Sequence, residues 1–232
     1  MTLTYGHFES DTELPGGIEA RQAPDTGYRQ RGLYRHGLKR LLDVVIVCLA
    51  APFVLPLIAV LAIAVMRDGG RPFYAQARVG KGGRTFRMWK LRSMVSDADE
   101  RMIAHLAANP EARREWDQTQ KLKNDPRITP FGHFLRKSSL DELPQLFNVL
   151  TGDMSLVGPR PMMISQKALY PSTAYYELRP GITGYWQTAG RNKTTFAARA
   201  QFDTAYEREL SFKNDAEILV RTVGVVVKGT GC

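Results

Sequence analysis

Asp141 and Glu142 are adjacent carboxylates in a cationic stretch, with Arg136 and Lys137 before them and Arg160 after. On a helix, neighbouring side chains point about 100° apart, so this pair would hold different tasks rather than share one proton. Asp141 suits a nucleophile directed at phosphorus, and Glu142 suits a base or a metal-orienting group. The nearby cations suit phosphate, and a helix N-terminus at this point would add free N–H groups. The same residues also admit a structural reading. Ser139-x-x-Glu142 matches a capping box, Ser138-x-x-Asp141 matches it with a shorter acid, and Pro144 suits a first helical turn. Spacing alone leaves both readings open.

Other chemistries find less support. His7, His36, His105 and His133 are isolated, and neither H-E-x-x-H nor C-x-x-C occurs. There is no G-x-S-x-G elbow. Gly80-Lys81-Gly82-Gly83 lacks the spacing of a nucleotide phosphate loop. Arg78, Lys81, Arg84, Arg87 and Lys90 recur every third residue, which alternates faces on a strand. That pattern suits a solvated or lipid-facing hairpin rather than nucleic-acid recognition. Asp125-Pro126-Arg127 reads as a turn with an ion pair.

The elements that must position these residues start with an apolar run. Residues 44–66 are 23 uncharged, apolar residues, enough to cross a bilayer core of about 30 Å. Basic residues flank both ends: Arg35, Lys39 and Arg40 before, Arg67, Arg71 and Arg78 after. Positive flanks favour the cytoplasmic side, and a straight crossing satisfies only one of them. Pro52 and Pro56 each remove a helical hydrogen bond in the middle of the run. A helix that enters, breaks at proline and returns satisfies both flanks; a kinked single-pass anchor is the simpler alternative. Asp43 at the entrance is expected to pair with Lys39 or Arg40 at headgroup level.

Of the 232 residues, 44% are hydrophobic and 24% charged, which fits one ordinary domain plus the apolar run and a tail. The net charge of +9 favours anionic lipid or a phosphorylated ligand. Cys48 and Cys232 are badly placed for a disulfide, which fits a reducing compartment. No secretory signal precedes the run. Residues 1–32 read as a disordered polar tail, 33–68 as the membrane segment and 69–232 as a cytoplasmic catalytic domain. Asn192-Lys193-Thr194 matches a glycosylation sequon that a cytoplasmic location leaves idle.

Within the third region, residues 71–94 read as a β-hairpin around the glycine-rich turn. Residues 96–121 suggest two exposed helices, and 130–150 carry a helical pattern. Residues 162–178, 196–211 and 216–228 look like amphipathic helices, the last either core or interfacial. The expected class is α+β, mainly α: a re-entrant membrane helix-break-helix, a catalytic domain with a short hairpin, and amphipathic interfacial helices.

Six ordered motifs carry a resemblance. They are Lys39-Arg40-x-x-Asp43, Lys90-Leu91-Arg92-Ser93-Met94, Ser139-Leu140-Asp141-Glu142-Leu143-Pro144-Gln145-Leu146, Asn148-Val149-Leu150-x-Gly152-Asp153-Met154-Ser155, Val157-Gly158-Pro159-Arg160-Pro161 and Arg179-Pro180-Gly181-Ile182-Thr183-Gly184. From Lys39 to Lys228 the chain resembles the bacterial sugar transferases, small monotopic polyprenyl-phosphate phosphoglycosyl transferases, and is most similar to their ExoY-like exopolysaccharide-initiating type. The resemblance implies transfer of a sugar-1-phosphate from a UDP-sugar to undecaprenyl phosphate, with release of UMP and with Mg²⁺ present, at the cytoplasmic face of the bacterial inner membrane. It implies Asp141 as nucleophile and Glu142 as acidic partner, both metal-ligating, and Arg136 and Arg160 as phosphate-binding, with Lys90 and Arg92 also on the substrate side. It places the helix break at Pro56, where the usual Ser-Pro is Leu55-Pro56, so that Pro52 would assist. Galactose or glucose is the sugar it suggests, and it leaves the oligomeric state open. The rival of another class is a non-enzymatic membrane adaptor with a basic cytoplasmic domain, which would need the carboxylates only as caps.

Overall fold

The computed structural model describes residues 32–67, 69–119, 122–189 and 196–227. The polar tail through residue 31, the 192–194 sequon and Cys232 lie outside the described residues. A π-helical turn, Tyr34–Leu38, leads into α1 (Lys39–Met66), the one long apolar helix among the described residues, which are mostly helical. An antiparallel hairpin follows, β1 (Phe73–Val79) with β2 (Thr85–Leu91), in register from Phe73 opposite Leu91 to Val79 opposite Thr85. Gly82 at φ +67° and Gly83 at φ +77° turn the chain between them, as the glycine-rich sequence predicts. Next come α2 (Ala98–Ala108) and α3 (Pro110–Thr119), the two helices expected in 96–121.

One expectation holds and one needs correction. The helical pattern in 130–150 falls in two helices, α4 (Pro130–Ser138) and α5 (Gln145–Thr151), separated by a 3-10 turn at Leu140–Glu142. Ser139 takes a left-handed conformation that ends α4, and Pro144 has no N–H to continue the ladder. Residues 162–178 hold only a 3-10 turn, Ile164–Leu169, and the short α6 (Ala174–Glu177). Pro171 biases Tyr170 to an extended backbone between them.

Two three-residue strands lie among these pieces. In β3 (Ser155–Val157) and β4 (Gly181–Thr183), Ser155 pairs with Gly181 and Val157 with Thr183, in parallel. The chain closes with α7 (Tyr185–Ala189), α8 (Arg199–Arg208) and α9 (Phe212–Val227). The main core joins Val47 of α1 to Phe86, Met88, Val149, Met154, Val157, Phe202, Tyr206 and Ile218.

Helical backbone continues through Pro52 and Pro56. The expected break at Pro56 is therefore no interruption of the helix. Each proline removes one bond and leaves its neighbours helical. Both ends of α1 are held by the rest of the chain. Near its start, Asp43 is buried and accepts hydrogen bonds from the Ser155 hydroxyl at 2.7 Å and the Leu156 N–H at 3.2 Å. Arg40 donates to the carbonyls of Val149 and Leu150 at the end of α5. Lys39 meets the Asp215 carboxylate at 2.5 Å, which also receives the Tyr34 and Tyr206 hydroxyls. The expected headgroup pairing of Asp43 is thus replaced by buried bonds to β3, because Lys39 and Arg40 are engaged elsewhere. Near the far end, Leu61, Ala62 and Val65 bury against Leu91 and Leu135. Between Val47 and Ile58 no residue of α1 is buried, and Leu49, Phe53 and Leu55 are exposed.

Candidate active site

The turn between α4 and α5 presents the carboxylates. Ser139 sits at φ +57°, and among the described residues it alone has positive φ without being glycine. A side chain in that region costs about 1 kcal/mol or more. Its N–H donates to the Arg136 carbonyl at 3.1 Å, and its carbonyl accepts from the Glu142 N–H at 3.2 Å. No side-chain cap forms at Ser139, and the Ser138 hydroxyl donates back to the Phe134 and Leu135 carbonyls. The capping-box reading fails on this geometry. Neither serine holds the N–H group that a capping box requires.

Lys90 reaches the turn from β2. Its ammonium lies 2.9 Å from Glu142 Oε1 and 3.5 Å from Asp141 Oδ2. Arg160, just after β3, brings a guanidinium to 3.8 Å from the same Glu142 oxygen. Arg136 stands on the last turn of α4, its Nε–H donating to the Ser93 hydroxyl at 2.9 Å. Asp141 is 7% exposed. Burial pushes its carboxyl above the ordinary range, Lys90 opposes this, and Glu142 adds to it. Burial works against the Lys90 charge, but Glu142 and then Asp141 outweigh it and raise the ammonium. The two carboxylates thus differ in partners: Glu142 is held by two cations, while Asp141 is the more loosely paired.

Of the six residues predicted for chemistry and binding, five converge here: Asp141, Glu142, Lys90, Arg136 and Arg160. Arg92 faces elsewhere. It donates to the carbonyls of Val65 and Arg71 at 3.0 Å each and of Met94 at 3.4 Å, closing the end of α1. Asp125 and Arg127 form the expected ion pair, at 2.6 Å.

The whole arrangement lies within a single family match. A family model described as bacterial sugar transferase fits residues 34–229. The chain belongs to that family. It is 47% identical to a UDP-galactose-lipid carrier transferase of Erwinia amylovora, over 84% of this chain and 41% of that protein. It is 46% identical to an undecaprenyl-phosphate galactose phosphotransferase of Salmonella typhimurium, over 84% and 41%. It is 43% identical to an exopolysaccharide production protein ExoY of Sinorhizobium fredii, over 83% of this chain and 87% of that one. The chain therefore spans about two fifths of the first two relatives and most of the third.

In this sugar transferase, sequence reasoning missed three residues near Arg160. Arg78, read as part of a solvated or lipid-facing hairpin, is half-buried and faces Pro161, with its Nη1–H 3.5 Å from that carbonyl. Arg199 is buried and donates to the Arg160 carbonyl at 2.7 Å. The Trp186 ring lies between Arg160 and Arg199, 5.8 Å and 5.0 Å from their guanidinium carbons. One sequence signal was available: a tryptophan two residues after Gly184, in a chain with only three.

Proposed function

We propose that this chain transfers a sugar-1-phosphate from a UDP-sugar to undecaprenyl phosphate, the first membrane step of a surface polysaccharide. Asp141 attacks the β-phosphorus through a carboxylate oxygen. The bond from that phosphorus to the bridging oxygen breaks, and its electron pair leaves with UMP. A phosphate oxygen of the lipid then attacks the same phosphorus and frees the Asp141 carboxylate. Lys90, Arg136 and Arg160 offset the repulsion between anionic oxygens as each nucleophile approaches. Glu142 holds Lys90 and Arg160 in place. The observation that carries this reading is the buried Asp141, loosely paired beside cations whose number exceeds what the two carboxylates neutralise.

Mg²⁺ suits this donor set. Asp141 and Glu142 supply two carboxylates, and no group of three or more metal-ligating side chains gathers among the described residues. Such an ion would take its other ligands from water and from substrate phosphate, and would neutralise phosphate charge. Incubating the purified chain with radiolabelled UDP-galactose or UDP-glucose, without lipid acceptor, tests the two-step order. Release of UMP with a phosphosugar adduct on the Asp141 peptide is expected, abolished by chelator and restored by Mg²⁺. No UMP and no adduct across a panel of UDP-sugars would overturn it.

The proposed location is the cytoplasmic face of the inner membrane, with α1 bending at Pro52 and Pro56, its backbone still helical, to dip into the lipid and return. Tyr34–Met66 is apolar and long enough to cross a membrane by length and composition. A straight α1 would extend about 42 Å, more than the hydrocarbon core. Yet Asp43 and Val47 near one end, and Leu61 and Val65 near the other, are buried against the domain that holds Asp141. One domain cannot grip both ends of a straight crossing without entering the lipid. The exposed Leu49, Phe53 and Leu55 are the part left to immerse, and the exposed Phe212, Val220 and Val223 of α9 offer a second lipid contact. Single cysteines at Gly37 and Arg71, in a chain whose Cys48 and Cys232 are alanine, test this topology in spheroplasts. Both sites are expected to label only after permeabilisation. Labelling of one before it would refute the dip.

A further inference from the structure

Arg78, Arg160 and Arg199 bring three guanidinium groups close enough to act on one another's charge. Arg78 comes from β1, Arg160 from the loop after β3 and Arg199 from the start of α8. All are tied to one short segment: Arg199 Nη2–H donates to the Arg160 carbonyl at 2.7 Å and Arg78 Nη1–H to the Pro161 carbonyl at 3.5 Å. Arg199 is further clamped between rings, 5.0 Å from Trp186 and 5.0 Å from Phe196.

The charges in this cluster are poorly balanced. Among the described residues, neither Arg78 nor Arg199 has a carboxylate within salt-bridge distance, and Arg160 has only Glu142, at 3.8 Å. Asp203 lies near Arg199 and offsets part of its charge, leaving one carboxylate here and the shared Glu142 against three guanidinium groups; it accepts the Tyr170 hydroxyl at 2.7 Å. The Nε–H groups of Arg78 and Arg199 are buried without a hydrogen-bond partner, and Arg199 is only 7% exposed. Burial and then the neighbouring Arg160 push Arg78 down to about 10. A buried donor left unpaired costs about 1–3 kcal/mol. Three cations with two idle donors, held on rigid elements, form a receptor for a compact anion of more than one charge.

Arg160 fixes which anion. It reaches Glu142 of the catalytic pair on one side and the Trp186–Arg199 stack on the other. An anion held by these arginines shares Arg160 with the catalytic pair, which suits the phosphate joined to the one that Asp141 attacks. We infer that Arg78, Arg160 and Arg199 bind the α-phosphate of the nucleotide diphosphate donor, the group that leaves as UMP, rather than the phosphate of the lipid acceptor. As the bridging bond breaks, that phosphate gains a negative charge, and the under-neutralised cluster receives it.

The assignment rests on the transferase reading, so its test measures binding apart from turnover. UMP is titrated by calorimetry into the full chain carrying Asp141→Asn, alone and with Arg78→Gln or Arg199→Lys. Each second change is expected to weaken UMP by about tenfold or more. In the Asp141-intact chain, Arg78→Gln is expected to raise the KM for the UDP-sugar while that for undecaprenyl phosphate stays within about twofold. Arg78→Gln guards against misfolding of the more buried Arg199 variant. Unchanged UMP affinity in the Arg78 variant, or a rise in the lipid-phosphate KM in place of the nucleotide effect, would overturn the assignment. If the wild-type chain transfers no sugar-phosphate but loses UMP affinity on Arg78→Gln, the subsite stands and the reaction falls. If transfer proceeds and UMP affinity is unmoved, the reverse holds.

Discussion

Asp141→Asn is expected to lower sugar-phosphate transfer by roughly 1,000-fold or more while leaving the melting temperature unchanged or higher. The amide keeps the shape of the turn but cannot attack phosphorus. Its effect on stability follows from the sign of the shift. Burial, with Glu142 in support, raises the folded Asp141 carboxyl above its unfolded value. A group raised in this way contributes stability below its unfolded pKa and loses it as pH rises through the folded pKa, so at neutral pH the ionised carboxylate weakens the fold. Replacing it removes that burden and leaves Lys90 paired with Glu142 at 2.9 Å. The gain is expected at pH 7 and absent in acid. The same shift sets the pH profile of the intact enzyme: kcat/KM falls on acidification at a higher pH than an ordinary aspartate would give. Thermal melts at two pH values and a kcat/KM profile check all three. Full transfer by the asparagine variant removes Asp141 as nucleophile, and a clear drop in melting temperature makes its role structural.

Gly158→Ala is expected to destabilise the domain by about 3 kcal/mol, the upper end for overpacking. A methyl group there would lie 2.4 Å from the Arg179 carbonyl and 3.0 Å from the Gly181 N. These are backbone atoms of the β3–β4 crossing, which cannot swing aside as a side chain would. Gly181 and Gly184 lock against the same point, their own methyl positions falling 2.1 Å and 2.2 Å from Gly158 backbone atoms. A melting temperature lower by about 6 °C or more, with loss of activity because Arg160 follows two residues later, is the expected outcome. Wild-type melting would show that the two segments part more easily than their packing suggests.

These two sites also mark what the sequence could and could not convey. Asp141 and Glu142 stand out because two acids among arginines are unusual in type and order. Their alternative as helix caps was equally visible, since Ser139 has the right spacing. Spacing does not reveal that Ser139 lies at φ +57°, ending one helix instead of starting another. The hairpin was legible from its glycine-rich turn, and α1 from its unbroken apolar character. The β3–β4 pair was not, because three residues are too few to show alternation and the partners are parallel and remote in sequence. Arg92 was placed by the resemblance beside a ligand, and Asp43 by its charge beside a headgroup. Their partners are instead distant backbone and hydroxyl groups, at Val65 and Ser155, which no local pattern announces. Arg78 and Arg199 were not paired for the same reason: 121 positions apart, they meet only around Arg160.

Val47 packs in one core with Phe86, Val149 and Phe202, although it belongs to the apolar helix. Its neighbour Asp43 supplies acceptors that Ser155 and Leu156 would otherwise lack. The helix is therefore no detachable tether that a soluble body could do without. A ribosome makes it before the rest of this core, which stays open until residues past 200 have emerged. Shortening the chain to remove the greasy segment would leave a hole where Val47 belongs.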